Sequence, residues 1–419
     1  MAAFDLSSLI FQIGLIIGAS ALFRFFATRI REPAVLGEIV LGVILGPSLL
    51  LWAWPAGHAV VFPAENGAIL EAFAWIGLLL FMYLAGSEMQ WRAVASRATL
   101  SVSAGGLIVP LALGLAVAAA APHWFFDGAA RIENLLIVAA VMAVCALPVL
   151  ARMLEHLGMS RDRLGSIAMG AGTIDDIVGW SIVALVVGAA GVGLTGHFGL
   201  NVVLLAAVIG AALLVSRYVV PRIERRKLPT NQGQFVGLLL AIFASALLTD
   251  AAGLHAVVGP LIVGAIVSRH DGLRDYAATR LRGVTMALFL PFFFVMAGAD
   301  IDLTLLGLPA GAVALVVVVL VACVAKMGGA YIGARAAGMS HSDGVVTGIL
   351  MNTRGAVGLA TAKIAYDAGL LSGGGFALLA SMVALTTFMA PPLIQGYWWW
   401  RRRSRVVMPE PSAGAAPRT

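Results

Sequence analysis

Apolar runs, most of them close to twenty residues long, follow one another along this chain with only short polar interruptions. An α-helix needs about 20 residues to cross roughly 30 Å of hydrocarbon. Inside lipid every backbone N–H and C=O must be paired within the protein, so only helices and closed barrels span it. The runs are too long and too continuously apolar for the roughly 10-residue alternating strands of a barrel. Hydropathy therefore predicts an all-α polytopic membrane protein of about 13 transmembrane helices, near 6–28, 34–54, 68–89, 98–121, 134–154, 164–190, 198–216, 233–250, 254–268, 284–300, 308–334, 343–367 and 375–399. Of these, 254–268 is the shortest. Residues 1–400 read as one integrated transmembrane domain, and 401–419 as a short cytoplasmic tail too polar to fold.

The polar interruptions alternate in charge. Arg29 and Arg31, then Arg92 and Arg97, then Arg152, Arg161 and Arg163, then Arg217 with Arg222 to Lys227, fall in every second loop. The pattern continues with Arg269, Arg274, Arg280 and Arg282, then Arg335, then Arg401 to Arg403, while the intervening loops carry little besides Arg131. Lys and Arg are retained on the cytoplasmic side. An odd number of spans in the inner (plasma) membrane, with the N-terminus outside and the C-terminus inside, accounts for the whole series. The Tyr397–Trp400 cluster fits an aromatic anchor at the inner interface. A cleaved signal is not expected at the first run, because Asp5 and no basic residue precedes it before Arg24.

Composition supports the same reading. The chain is 61% hydrophobic and 11% charged, where a soluble domain carries about 25% charged residues. The net charge of +6 is scattered among loops rather than gathered into a surface for nucleic acid. Cys145 and Cys323 fall inside apolar runs, where the default is a buried small hydrophobe. There is no phosphate-cradling glycine loop and no histidine-rich metal spacing, so neither an enzyme nor a cofactor is expected. The seven histidines lie mostly at span ends and read as solvated loop residues.

A repeat is visible. Ala34–Leu45, AVLGEIVLGVIL, overlays Ala256–Val267, AVVGPLIVGAIV, with both glycines in register, and LAGSEM at 84–89 overlays MAGADI at 296–301. Chance recurrence of Gly, Ala, Val and Leu is the alternative, but both matches occur in the same order. The span count makes the two copies run in opposite directions, giving inverted repeats near 33–190 and 254–399, an arrangement typical of secondary transporters with a midplane site.

The sharpest chemical feature is GTIDDIVGW, whose Asp175 and Asp176 lie midway through the sixth span. An acid at that depth costs several kcal/mol and marks an ion or proton path with a partner. Neighbouring helix positions are about 100° apart, so the two carboxyls face different ways. The alternative is a pair held for packing. Lys326 in AKMGG and Arg354 in NTRGAVG are the candidate partners, with snorkelling to the interface as the alternative. Pro148 in CALPVLAR marks a break or a tolerated kink in the fifth span, and glycines beside Arg354 loosen the twelfth. Interrupted helices in corresponding halves point to the transport site.

Together GTIDDIVGW, PAVLGEIVLGVILGPS, GLLLFMYLAGSEM, LPVLARML, HAVVGPLIVGAIV, FLPFFFVMAGADIDL and NTRG resemble the monovalent cation:proton antiporter superfamily, in its Asp-Asp branch, over nearly the whole chain. The resemblance implies two intertwined inverted five-helix repeats with broken crossing helices at the fifth and twelfth spans, a homodimer, and Na+ or K+ exchanged for H+ in pH homeostasis. It makes Asp176 the main ligand for the alkali cation and for protons, with Asp175 paired to Lys326. Arg354 would support the broken helix, beside Thr353, Pro148 and Cys145. Many relatives carry Thr or Ser where this chain has Cys145, and a thiol is a poor alkali-ion ligand. The Asp-Asp likeness further implies electrogenic exchange and, from the length of the tail, no cytosolic nucleotide-binding module. A cation channel or a proton-coupled transporter of another substrate remains the alternative. An intramembrane aspartyl protease would need two carboxyls converging on one water, which adjacent helix residues do not provide.

Overall fold

The computed structural model describes residues 6–29, 34–189 and 232–406, apart from a few positions at turns, and isolated positions between 190 and 231. The predicted seventh span at 198–216 (isolated positions apart), the basic cluster Arg222–Lys227 and the tail from 407 lie outside the described residues. Every regular element among the described residues is helical. The first half comprises α1 (Leu6–Arg29), α2 (Ala34–Leu45), a π-helical turn at Pro47–Leu51, α3 (Pro55–Val61), α4 (Gly67–Ser87), α5 (Trp91–Val94) and α6 (Arg97–Ala120). It closes with α7 (Ile132–Ala143), α8 (Leu147–His156) and α9 (Arg163–Ala189). The second comprises α10 (Gln232–Ala251), α11 (Val258–Val267), α12 (Asp271–Val284), a π-helical turn at Thr285–Phe289, α13 (Leu290–Ala299), α14 (Pro309–Ala336), α15 (His341–Met351), α16 (Gly355–Asp367) and α17 (Gly373–Val406).

Among the described residues, eight helices are long and apolar enough to cross a membrane. Three predicted spans take a different form. The runs 134–154 and 343–367 are each two half-helices, α7 with α8 and α15 with α16. The predicted span 284–300 starts earlier, because α12 runs through the supposed basic loop into α13 and buries Ala277 and Leu281 while its arginines stay outside the core. At the other end α17 continues through Arg401–Arg403 to Val406, so the first residues of the predicted tail are helical. Arginine is a good helix former, and nothing in that stretch terminates the helix.

The helices assort into two bundles. In one, α11 packs on α4, α13 on α2 and α4, α1 on α2, and α10 on α11. In the other, α6 packs on α14 and α7, while α9 and α15 to α17 complete the group. Contacts between the bundles are sparse and include α13 with α16, α11 with α9 and α2 with α16.

Within each bundle the tightest crossings are made by glycines placed reciprocally. A Cβ on Gly42 would stand 2.2 Å from the Val295 carbonyl, and one on Gly298 would stand 2.5 Å from the Ile39 carbonyl, so α2 and α13 touch backbone to backbone. The same exchange joins α4 and α11, through Gly86 against Leu261 and Gly264 against Tyr83. Gly105 and Gly329 oppose each other's carbonyls across α6 and α14 at 2.1 and 2.2 Å. With no water-driven force between helices in lipid, close van der Waals approach of this kind supplies much of the association.

Replacing Gly329 by Ala is expected to lower the stability of the detergent-solubilised protein by about 1–3 kcal/mol through overpacking. Gly328→Ala, whose added methyl meets nothing within 4 Å, is the control. Equal melting temperatures for the two variants would show that the α6–α14 approach can relax.

Candidate ion-binding site

Two helix breaks meet at the centre of the second bundle. α7 ends at Ala143, and Val144 turns the chain extended with ψ 138° before α8 begins at Leu147. The break lies just upstream of Pro148, which occupies the first turn of α8. There its missing N–H needs no partner, whereas an unbroken helix would drive the ring against the carbonyl of Val144, four residues back. The second break separates α15 from α16 at Asn352–Arg354. Gly355 opens α16 with φ +51°, and a Cβ there would lie 2.4 Å from a Val149 methyl, so only glycine fits. The breaks are joined directly: the Ala146 N–H donates to the Thr353 carbonyl at 2.8 Å. Cys145 Sγ lies 3.6 Å from Thr353 Oγ1, which itself donates to the Leu350 carbonyl at 2.9 Å.

A broken helix leaves carbonyls without partners at its C-terminal end, where the dipole is negative. Two cations occupy the end of α7. Arg354 donates to the Val141 carbonyl at 3.2 Å, to the Met142 carbonyl, and to Ala322 of α14 at 2.9 Å. Lys326 donates to the Ala143 carbonyl at 2.5 Å and to Gly106 of α6 at 2.8 Å. Neither side chain snorkels, since both are fully buried.

The third Lys326 hydrogen bond goes to Asp175 Oδ2 at 2.5 Å. Ser103 of α6 donates to the other oxygen, Oδ1, at 2.7 Å. An ammonium has three donors, and all three are used here. Asp176 is different. It is equally buried, yet neither of its oxygens is in a hydrogen bond. The first turn of α8, at Leu147, lies near Asp176, while the end of α7 is held by Lys326 and Arg354.

The structure thus brings Asp175, Lys326, Arg354, Cys145 and Thr353 to one point and leaves Asp176 beside it as an uncommitted carboxylate. Sequence reasoning missed Ser103 and Asn352. A lone serine in an apolar helix carries no distinguishing signal. Asn352, whose amide nitrogen lies 3.5 Å from Cys323 Sγ and whose amide oxygen is buried without a partner, was legible only as the first letter of NTRG. His255, one of the span-end histidines, stacks on Trp75 with ring centroids 5.6 Å apart rather than standing free in solvent.

The profile of the family described as sodium/hydrogen exchanger, transmembrane, matches residues 15–400. Curated relatives include cation/H+ antiporter 17 of Arabidopsis thaliana, 29% identical over 92% of this chain and 48% of that protein. The Na+/H+ antiporter NhaS4 of Synechocystis is 29% identical over 90% of this chain and 94% of its own length, and the K+/H+ antiporter 1 of Saccharomyces cerevisiae is 27% identical over 93% and 46%. The chain thus spans about half the length of several relatives it matches. Among solved structures, the sodium proton antiporter MjNhaP1 of Methanocaldococcus jannaschii superposes with TM-score 0.68 over 93% of this chain and 97% of that one, at 17% identity, a likeness of fold.

Arg354→Leu removes the donor from the Val141 and Met142 carbonyls at the open end of α7, and leaving such groups unpaired costs about 1–3 kcal/mol each. Thermal unfolding of the solubilised variant is expected to show a loss of about 3 kcal/mol or more. An unchanged transition would mean that the α7 terminus is satisfied without the guanidinium.

Proposed function

The chain belongs to the transmembrane sodium/hydrogen exchanger family, and on that premise we propose that it is a secondary active antiporter exchanging a monovalent cation, Na+ or K+, for protons at Asp176. The observation that carries this reading is the contrast within one pair of adjacent acids. Asp175 has both oxygens committed, to Lys326 and Ser103, whereas Asp176 is buried with both oxygens free of hydrogen bonds. A bare carboxylate in such a place is penalised by desolvation. It is relieved by a proton or by a cation, but not by both at once, and that exclusion couples the two fluxes. Both acids are fully buried, so exchange at Asp176 requires another conformation that opens a path to it. Relatives bear the names of Na+/H+, K+/H+ and cation/H+ antiporters, so the choice of alkali cation belongs to the assay.

Lys326 takes the coupling role. Its ion pair with Asp175 stands one residue from Asp176, so a change of charge at Asp176 is felt by the pair. The Asp-Asp resemblance gives two protons per cation, hence electrogenic exchange. The alternating basic loops support the N-terminus outside, the C-terminus inside and 13 spans in the plasma membrane. Reciprocal glycine crossings support the inverted repeats: α2 against α13 is the mirror of α11 against α4, as a twofold operation demands. That equivalence extends one helix beyond the five-helix units, because Gly37 abuts the Phe23 carbonyl of α1 as Gly259 abuts the Ser245 carbonyl of α10. The most exposed of the long helices, α1 and α10, lie on the bundle proposed as the dimerising scaffold, against which the bundle bearing Asp176 moves.

In everted vesicles, Asp176→Asn is expected to abolish cation-dependent proton flux while the protein still inserts, and retained flux in that variant counts against the site. Lys326→Ala is expected to keep a reduced flux with altered voltage dependence, read in proteoliposomes under an imposed potential. Voltage dependence identical to that of the parent would remove Lys326 from the coupling scheme.

A further inference from the structure

The two acids matched by the sequence repeat, Glu88 of LAGSEM and Asp300 of MAGADI, occupy equivalent places in the structure. Each is the residue that caps the C-terminal end of its helix, α4 for Glu88 and α13 for Asp300, with nearly the same backbone angles, φ −87° and ψ −4° against φ −79° and ψ −8°. A carboxylate there opposes the negative end of the helix dipole, so each position calls for a cation. Glu88 takes Arg282 of α12, within its own bundle, at 2.5 Å. Asp300 takes Lys363 at 2.9 Å, and Lys363 belongs to α16, in the other bundle.

That second ion pair sits where the bundles barely touch. It borders a cavity of about 180 Å³ lined by Glu71, Trp75, Met296, Asp300, Lys363 and Asp367, among others, on the face away from the basic loops. The geometry points to Asp300 and Lys363 as two further residues of the exchange cycle, an ion-pair latch across the bundles that holds this outer mouth shut in the conformation seen here. This rests on the antiport reading, in which one bundle moves against the other.

The chemistry suits a contact that must break in every cycle. Lys363 also bonds Asp367, one turn further along its own helix. When α13 draws away, the ammonium keeps that partner and is never left bare. Asp300, whose side chain is 41% exposed against 16% for Lys363, passes to water. Release therefore costs little, as for other partly exposed pairs, unlike the fully buried Asp175–Lys326 pair.

The test uses the full-length protein in proteoliposomes, with a reporter cysteine in place of Ala74, which lines the cavity and is buried, and a membrane-impermeant maleimide applied outside. The native Cys145 and Cys323 are buried, and the chain without the reporter gives the background. Lys363→Gln and Asp300→Asn are each expected to raise the labelling rate roughly fivefold, which is about 1 kcal/mol. The conservative Lys363→Arg, which keeps a cation for both Asp300 and Asp367, is expected to keep the parent rate. Labelling unchanged in both neutralising variants, or raised as much in Lys363→Arg as in Lys363→Gln, overturns the latch. Because labelling needs no ion flux, it separates this outcome from failure of the Asp176 assignment, which is read by flux alone.

Discussion

A charge inside a membrane-spanning bundle has no water to turn to, and the Lys326 ammonium answers that constraint with three protein acceptors: Asp175, the Ala143 carbonyl and the Gly106 carbonyl. Much of the site follows from it. The ammonium fixes the orientation of Asp175, ties α14 to α6 and α9, and closes the exposed end of α7. Arg354 extends the same cover to Val141 and Met142. Such pairs add little net stability over a well-packed apolar core, but removing one partner strands the other. The arrangement makes sense as machinery that must hold a second, uncommitted carboxylate at the same depth.

The helix breaks and the glycines solve two halves of one mechanical problem. Breaking α7–α8 and α15–α16 brings helix termini, with their unpaired amides and carbonyls, to the middle of the protein, where a long continuous helix would present only side chains. The resulting polar backbone is tolerable because it is enclosed in protein. The glycine crossings at Gly42–Gly298, Gly86–Gly264 and Gly105–Gly329 lock each bundle internally by backbone contact. The seam between bundles has few such contacts, which is where the proposed motion would be least hindered.

The two ionic contacts differ in burial and in what they join. The Asp175–Lys326 pair is sealed and belongs wholly to one bundle, whereas Asp300–Lys363 crosses to the other bundle at a partly wetted mouth. Low dielectric makes the first durable, and solvent makes the second reversible. The proposed exchange would draw on both kinds, the buried pair as a fixed charge framework and the partly exposed pair as a contact that can be remade.

Helicity, the approximate spans, the repeated glycines and the depth of Asp175 and Asp176 were legible in the sequence because each is written locally. Hydropathy over some twenty residues sets a span, and the 100° step between adjacent residues alone dictates that the two carboxyls diverge. The fold decided what depends on distant segments meeting. Lys326 and Arg354 both stood out as deep cations, but only packing showed that one takes Asp175 and both hold the end of α7. Ser103, an unremarked serine in an apolar run, became a partner of Asp175 because α6 packs on α9. Asp300 met Lys363 because two bundles close at one mouth. A hydrogen bond is set to within tenths of an ångström by elements far apart in the chain, and no periodicity along the sequence encodes that distance.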